Sequence, residues 1–183
     1  MLHSLDTAIE LAQAPEELFP FFSDAANLEA ITPPELNFSI TSPPRDGMGQ
    51  GARIRYRLGL WGVAFRWETH IRVWEPPHYF VDEQVAGPFR RWEHHHILQA
   101  TADGTRMLDH VDYALPMTPA GELAHPIIRR QLRRIFTFRH EQMQRLFAPE
   151  LRAPCTVLFD MNPGYFDDRA MPRASGRVSE VLE

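Results

Sequence analysis

The sequence predicts an α+β domain in which an antiparallel sheet of about six or seven strands curves around one long C-terminal helix, with two short helices after the first strand. Three observations carry that expectation. Residues 52–73 alternate apolar and charged side chains in two runs that fit a single hairpin register. Further alternating runs, divided by Pro-Pro, Gly-Pro and Asp-Gly pairs, continue to residue 115. Over residues 126–147 the apolar period changes from that of a strand to that of a helix.

Residues 5–11 read as the first strand. Pro15-Glu16-Glu17 opens a short helix, since proline suits a first turn and the acids suit the positive end of the helix dipole; Leu18, Phe19 and Phe22 form its apolar face. Asp24 caps a second short helix carrying Leu28 and Ile31, and Pro33-Pro34 stops it. Leu36, Phe38 and Ile40 alternate with polar residues as in a strand. A two-residue turn at Trp61-Gly62 places Leu60 opposite Val63, Leu58 opposite Phe65, Tyr56 opposite Trp67 and Arg55 opposite Glu68. Pro76-Pro77 breaks the chain, 79–85 is a strand, Gly87-Pro88 a turn, 91–99 a strand, and Asp103-Gly104 turns into a strand over 106–115. Pro116 ends the sheet, Thr118-Pro119 is an N-cap signature, and Pro126 restarts or kinks the helix. Ile128, Leu132, Ile135, Phe136, Met143 and Leu146 then mark one helical face, flanked by Phe138 and Phe147, and Arg130, Arg133, Arg134, Glu141 and Arg145 mark the other. A single sheet must take such a helix across its concave face, and sheets covered this way leave a cavity. Pro149, Pro154, Pro163 and Pro172 divide residues 149–183 from a domain of residues 1–148. The expectation is an extension that lies on the domain or is partly disordered, with apolar patches at 156–159 and Tyr165-Phe166, whose removal leaves a folded domain.

Composition narrows the function. The chain has 183 residues, 44% hydrophobic and 23% charged, which is ordinary for a soluble domain. No run approaches the ~20 apolar residues of a membrane span. Residues 1–11 have neither a basic nor an apolar leader region, so a cytoplasmic setting is expected. A single cysteine, Cys155, excludes an internal disulfide and a cysteine-based metal site. All 19 basic residues are arginine, which excludes a Schiff-base lysine. The net charge of −5 argues against nucleic-acid binding, although residues 129–145 hold six arginines against one glutamate. That segment either faces solvent or makes transient contact with a membrane surface or an acidic partner. There is no Gly-x-Ser-x-Gly, phosphate loop or dinucleotide fingerprint, so no cofactor is expected and no metal is assigned.

The run His94-His95-His96 is the first candidate for chemistry. Neighbours on a strand face opposite ways, so His94 and His96 share the apolar face of Trp92 and Leu98, with Cβ atoms about 6.6 Å apart. Three readings stay open: a structural pair held by carboxylates, a polar contact to a ligand, or metal ligation. Asp109 shares its face with Met107, Val111 and Tyr113, and the turn at Asp103-Gly104 brings it beside the histidines. A carboxylate among such neighbours needs a partner, or its pKa rises.

Several strings carry a resemblance: Glu75-Pro76-Pro77, Phe80-Val81-Asp82-Glu83-Gln84, Gly87-Pro88-Phe89, Trp92-x-His94-x-His96, Gly104-Thr105-Arg106-Met107-x-Asp109, and Arg130-Gln131-Leu132-Arg133-Arg134-Ile135-Phe136. Over roughly residues 3–147 the chain resembles the SRPBCC superfamily, also called START-like or helix-grip, in its uncharacterised cyclase/dehydrase-like branch. Simple periodicity turns Tyr79, Val81 and Val85 inward, whereas the resemblance implies that Phe80, Asp82 and Gln84 face in, and we follow the resemblance. Asp82, His94, His96 and Asp109 then form one polar cluster among Tyr56, Phe65, Trp67, Phe80, Trp92, Tyr113, Phe136 and Phe138. The expected ligand contacts are Tyr56, Trp67, Phe80, Asp82, Gln84, Trp92, His94, His96, Asp109, Tyr113 and Phe136, with His94, His96 and Asp109 as candidate acid/base groups. The resemblance implies binding of a hydrophobic small molecule such as a lipid, quinone or polyketide. The alternatives are a cyclase/dehydratase-type enzyme, and a regulatory or stress-related interaction module in which the cavity is incidental.

Overall fold

The protein is described by a computed structural model over residues 1–60, 62–117, 119–147 and 155–160. Its elements are β1 (His3–Leu11), α1 (Pro15–Phe22), β2 (Ser39–Ser42), β3 (Arg53–Leu60), β4 (Val63–Glu75), β5 (Tyr79–Ala86), β6 (Arg91–Thr101), β7 (Gly104–Ala114), α2 (His125–Phe147) and β8 (Thr156–Phe159). Single 3-10 turns lie at Ala25–Leu28, Pro34–Leu36 and Ala120–Ala124. One antiparallel sheet runs β2-β3-β4-β5-β6-β7-β1-β8. Trp61, Thr118, the tail prolines and the Tyr165-Phe166 patch lie outside the described residues.

The hairpin of β3 and β4 has the expected register, Leu58 on Phe65, Tyr56 on Trp67 and Arg55 on Glu68. On its charged face Arg53 and Arg55 both donate to Glu68, at 2.9 and 2.8 Å. Asp24 caps the 3-10 turn after α1 by accepting from the Ala26 amide at 2.9 Å. The turn between β6 and β7 requires glycine: Gly104 has φ 140°, and a Cβ there would stand 2.1 Å from the Leu11 carbonyl oxygen.

The sheet has eight strands rather than six or seven. Thr156–Phe159, expected as a patch on an extension, pairs with β1 and puts Phe159 opposite Leu5. Without it the outer edge of β1 would leave its N–H and C=O groups unpaired. Phe159 packs with Leu5, Val111, Tyr113, Leu115, Leu132 and Phe136, and the Arg129 and Arg133 guanidinium groups lie over its ring. The strand expected over Leu36, Phe38 and Ile40 begins later, at Ser39. Leu36 instead closes a 3-10 turn, with Asn37 in the left-handed region at φ 45°.

The long helix packs on the sheet through Leu132, Phe136, His140 and Met143. Leu146, expected on that face, is 51% exposed, and Phe147 makes the contact of this turn, edge-on against Phe21. A second apolar cluster lies on the opposite side of the sheet, where Tyr79, Val81, Ile97 and Leu108 pack together. It explains why β5 looks apolar on both faces.

Since Phe159 completes the core, Phe159→Ala should cost ~3–5 kcal/mol by chemical denaturation, as buried aromatic truncations do. Ending the chain after Phe147 should destabilise it at least as much. A loss below ~0.5 kcal/mol, the scale of a surface change, would show that β8 does not dock.

Candidate functional site

Between the concave face of the sheet and α2 lies a cavity of about 440 Å³. Phe21, Phe22, Leu28, Ile31 and Leu36 form one wall; Ile54, Tyr56, Leu58, Phe65, Trp67 and Ile71 form another. Phe80 and Trp92 come from the middle strands, and Ile128, Leu132, Ile135 and Phe136 close it from α2. The polar atoms of the wall are largely spoken for. Trp67 donates its indole N–H to Thr69 Oγ1 at 3.1 Å, and the Tyr56 hydroxyl lies 3.0 Å from the same oxygen. Burial first, and then the charge of Asp82, pushes the Tyr56 phenol up.

At the floor, β5, β6 and β7 set Asp82 opposite His94 and His96 opposite Asp109. The two imidazoles lie 3.7 Å apart, between the two carboxylates. His96 donates from Nε2 to Asp82 Oδ2 at 2.8 Å, and His94 donates from Nε2 to Asp109 Oδ1 at 3.0 Å. The other ring nitrogens complete the lattice: His96 Nδ1 is 3.0 Å from Asp109 Oδ1, and His94 Nδ1 is 3.6 Å from Asp82 Oδ2. Arg139 descends from α2, with Nη2 3.3 Å from His96 Nδ1 and Nε 3.6 Å from Asp109 Oδ2. Phe80 stacks on His96 at 3.9 Å, and Phe136 meets His94 edge-on.

Charge decides the protonation states. Burial alone would raise both carboxyls. For Asp82 the hydrogen bond from His96 and the charges of the histidines and Arg139 outweigh burial, so it sits below its ordinary value. For Asp109 the Arg139 guanidinium and the bonds from both histidines hold it well below. Burial, then the neighbouring His96, takes His94 down to about 4 against the pull of Asp109 and Asp82. Two carboxylates against one guanidinium leave the floor short of positive charge, and His94, held down to about 4, is neutral at ordinary pH.

Of the residues the sequence singled out, Tyr56, Trp67, Phe80, Asp82, Trp92, His94, His96 and Phe136 line the cavity, as does Phe65. Phe80 and Asp82 face in, as the resemblance implied and simple periodicity did not. Gln84, Tyr113 and Phe138 stand away from the wall. Pairing of β5 with β6 ends at Glu83 and Glu93, so Gln84 lies past it and clamps Phe89, donating to its carbonyl at 2.6 Å and accepting from its amide. Tyr113 is sealed behind Phe89 and Trp92, with its hydroxyl 3.0 Å from His125 Nε2. Asp109 sits behind the histidines, beside a cavity of about 10 Å³ lined by Thr7, Arg139 and His140 among others, and accepts from Thr7 at 3.4 Å.

Sequence reasoning missed Arg139, counting it only as part of a basic segment. The signal was its phase: Leu132, Phe136, Arg139 and Met143 fall on one helical stripe, and a charge on that stripe needs a buried counter-charge. Asp82, His94 and His96 also bring one potential ligand atom each within 4.8 Å. There Arg139 already supplies the positive charge that a metal would bring. Cys155 is half-buried, and burial pushes its thiol up to about 11, which makes it a poor nucleophile.

Comparison with known proteins agrees with this architecture. A START superfamily protein of Mycobacterium smegmatis superposes with a TM-score of 0.59 at 16% identity, over 79% of this chain and 99% of its own. The Zhui aromatase/cyclase of Streptomyces sp. R1128 does so with a TM-score of 0.58 at 14% identity, over 82% of this chain and 99% of its own. The chain has the START-like, helix-grip fold. A Chromobacterium violaceum protein shares the helix-grip architecture with a TM-score of 0.63 at 12% identity, over 80% of this chain and 99% of its own. Residues 65–147 match a family described as a domain of unknown function, DUF8410. No curated protein matches the chain. Among the described residues, no helix is long and apolar enough to cross a membrane.

Two outcomes follow from the charges. Arg139→Met removes one partner of a buried ionic cluster and should cost ~3–5 kcal/mol, read by denaturant midpoint. The second is a stability maximum near neutral pH. His94, lowered to about 4, leaves the unfolded chain binding the extra proton between that value and 6.5, so stability falls as pH falls through this window. The depressed carboxyls of Asp82 and Asp109 extend the loss to lower pH. On the outer face, burial works against charging His110, but its hydrogen bonds to Asp112 and Asp6 raise it to about 9. Its contribution is complete below 6.5 and lost as pH rises through about 9. In denaturation curves across pH, His94→Gln should flatten the acid limb and His110→Gln the alkaline one.

Proposed function

We propose that this chain binds a hydrophobic small molecule of lipid, quinone or polyketide type, with the apolar body in the cavity and a hydroxyl or carbonyl end on the floor of Asp82, His94, His96 and Arg139. One observation carries the reading: a cavity of about 440 Å³, apolar on nearly all sides, ends on a single hydrogen-bonded polar cluster. That volume lies within the ~300–1,000 Å³ of small-molecule sites, where a few placed polar groups set orientation. A neutral polar group is favoured over a carboxylate, because the floor already holds two ionised carboxylates against one guanidinium. The open volume favours this reading over a regulatory or stress-related module in which the cavity is incidental. A cytoplasmic setting, and transient contact of the arginine face of α2 with membrane headgroups, belong to the same proposal.

A second reading, cyclase/dehydratase chemistry, has its own support. His94 is held down to about 4 by burial and by His96, which suits an unprotonated base facing the cavity. Asp109 would then act through the histidines as an ionised positioning group, since it does not reach the cavity. The fold likeness to an aromatase/cyclase is compatible with this chemistry.

Native mass spectrometry of the purified chain, with identification of what co-purifies, tests the binding. For the identified molecule, His94→Gln or His96→Gln should weaken affinity by at least ~1 kcal/mol, the scale of one hydrogen bond. Gln84→Ala should leave it unchanged. If nothing co-purifies and the apolar dye ANS does not bind to the folded chain, the reading fails.

A further inference from the structure

A second histidine cluster sits at the rim of the cavity, apart from the charged floor. His3 begins β1, Glu122 lies in the turn Ala120–Ala124, and His125 is the first residue of α2. Two segments distant in sequence thus bring two imidazoles and a carboxylate together, with one ligand atom of each within 4.8 Å of the others. His3 Nε2 is 2.8 Å from Glu122 Oε2, and the rings of His3 and His125 stack at 3.7 Å. His3 is 7% exposed, while Glu122 and His125 are partly open to solvent, so the cluster is built on one side and reachable on the other.

The surroundings are those of a metal-binding set. Asp160 Oδ1 lies 3.5 Å from His3 Nδ1, and the Tyr113 hydroxyl lies 3.0 Å from His125 Nε2. Each imidazole therefore has one nitrogen held by an oxygen group, the arrangement that orients ligating histidines. Two histidines and a glutamate form a donor set for zinc, whereas calcium and magnesium want oxygen alone. The remaining oxygen of Glu122 meets the exposed Met1 ammonium at 3.1 Å, a contact that solvent can replace. At the floor, by contrast, Arg139 already holds the place of a cation.

We propose that His3, Glu122 and His125 bind one zinc ion, leaving its fourth position to water, and that the ion fastens the rim of the cavity. Leu115, Pro116, Met117, Gly121 and Ala124 line that rim. No residue of Ala120–Ala124 is buried. Among the described residues, the side-chain ties of this turn to the rest of the fold run through Glu122 to Met1 and His3. Coordination replaces that hydrogen bond with metal–ligand bonds and joins the turn to both β1 and α2. The rim then opens less often, and exchange of a cavity occupant slows.

The full chain, stripped with a chelator and titrated with zinc chloride by calorimetry, tests the site. The expected result is one zinc per chain and a zinc-dependent rise in Tm, with cobalt(II) giving a tetrahedral absorption band. Glu122→Gln and His125→Ala should each weaken zinc binding by at least ~10-fold, and Asp160→Asn by less. Glu122→Gln is close to isosteric, so it remains informative if His125→Ala perturbs folding. Zinc should also slow amide hydrogen exchange over residues 119–124 in the wild-type chain and not in Glu122→Gln. Absence of stoichiometric zinc, or binding that survives both rim variants and is lost in Asp82→Asn, would overturn the proposal.

Discussion

Two carboxylates, Asp82 and Asp109, point to the concave side of the sheet from β5 and β7, where contact with water is largely cut off. Each would cost several kcal/mol unpaired. The pair of imidazoles on the intervening strand answers part of that demand, and the guanidinium of Arg139 answers the rest. Since Arg139 belongs to α2, the charge balance ties the helix to the middle of the sheet. Leu132 and Phe136 pack on one side of that tie and Met143 on the other, in two separate clusters. The cavity occupies the space beyond it, under the first half of α2.

The same strand shows how far environment outweighs residue type. His94 and His96 are buried between the inward carboxylates, while His95 faces outward, with its Nε2 hydrogen-bonded to Glu93 at 3.0 Å and its Nδ1 to the Tyr79 hydroxyl at 2.8 Å. Across the outer face His110 meets Asp6 at 2.6 Å and rises to about 9, whereas His94 falls to about 4. Both lie near two carboxylates. The difference is that His94 is fully enclosed and beside another imidazole, so desolvation and like charge win; His110 keeps partial contact with water, so its acid partners win. Enclosure on the inner face thus lowers one histidine, and acid partners on the outer face raise another.

At the rim the fold uses histidine differently. There the ends of β1, α2 and β8 converge, and His3, His125, Tyr113 and Asp160 form a chain of polar contacts at the edge of the apolar cluster around Phe159. The floor is enclosed and dominated by the sheet. The rim is partly open and joins segments that the sheet alone would leave loosely attached. The protein thus holds two polar clusters of opposite character, one enclosed by the sheet and α2 and the other partly open to solvent.

Much of the architecture was legible in the sequence. Alternation is a property of backbone geometry, so the hairpin of β3 and β4, the inward His94 and His96, and the face of Asp109 followed from spacing alone. Turn dipeptides and the change of period placed most strand ends and the long helix. Asp82 could not be placed that way, because Val81 and Tyr79 fill a small core on the outer face and make both sides of β5 look buried. The resemblance drew Gln84 toward the cavity and phase drew Tyr113, but the end of strand pairing and the cover of Phe89 and Trp92 took them elsewhere. Four residues are too few for alternation to mark β8, whose existence depends on the open edge of β1 more than a hundred residues away. Arg139 looked like one more surface charge until the sheet supplied its partners. Sequence by itself determined the local periods and therefore which faces are apolar; only the tertiary structure decided which buried charges meet, because that pairing depends on strand order and helix position, which no local pattern encodes.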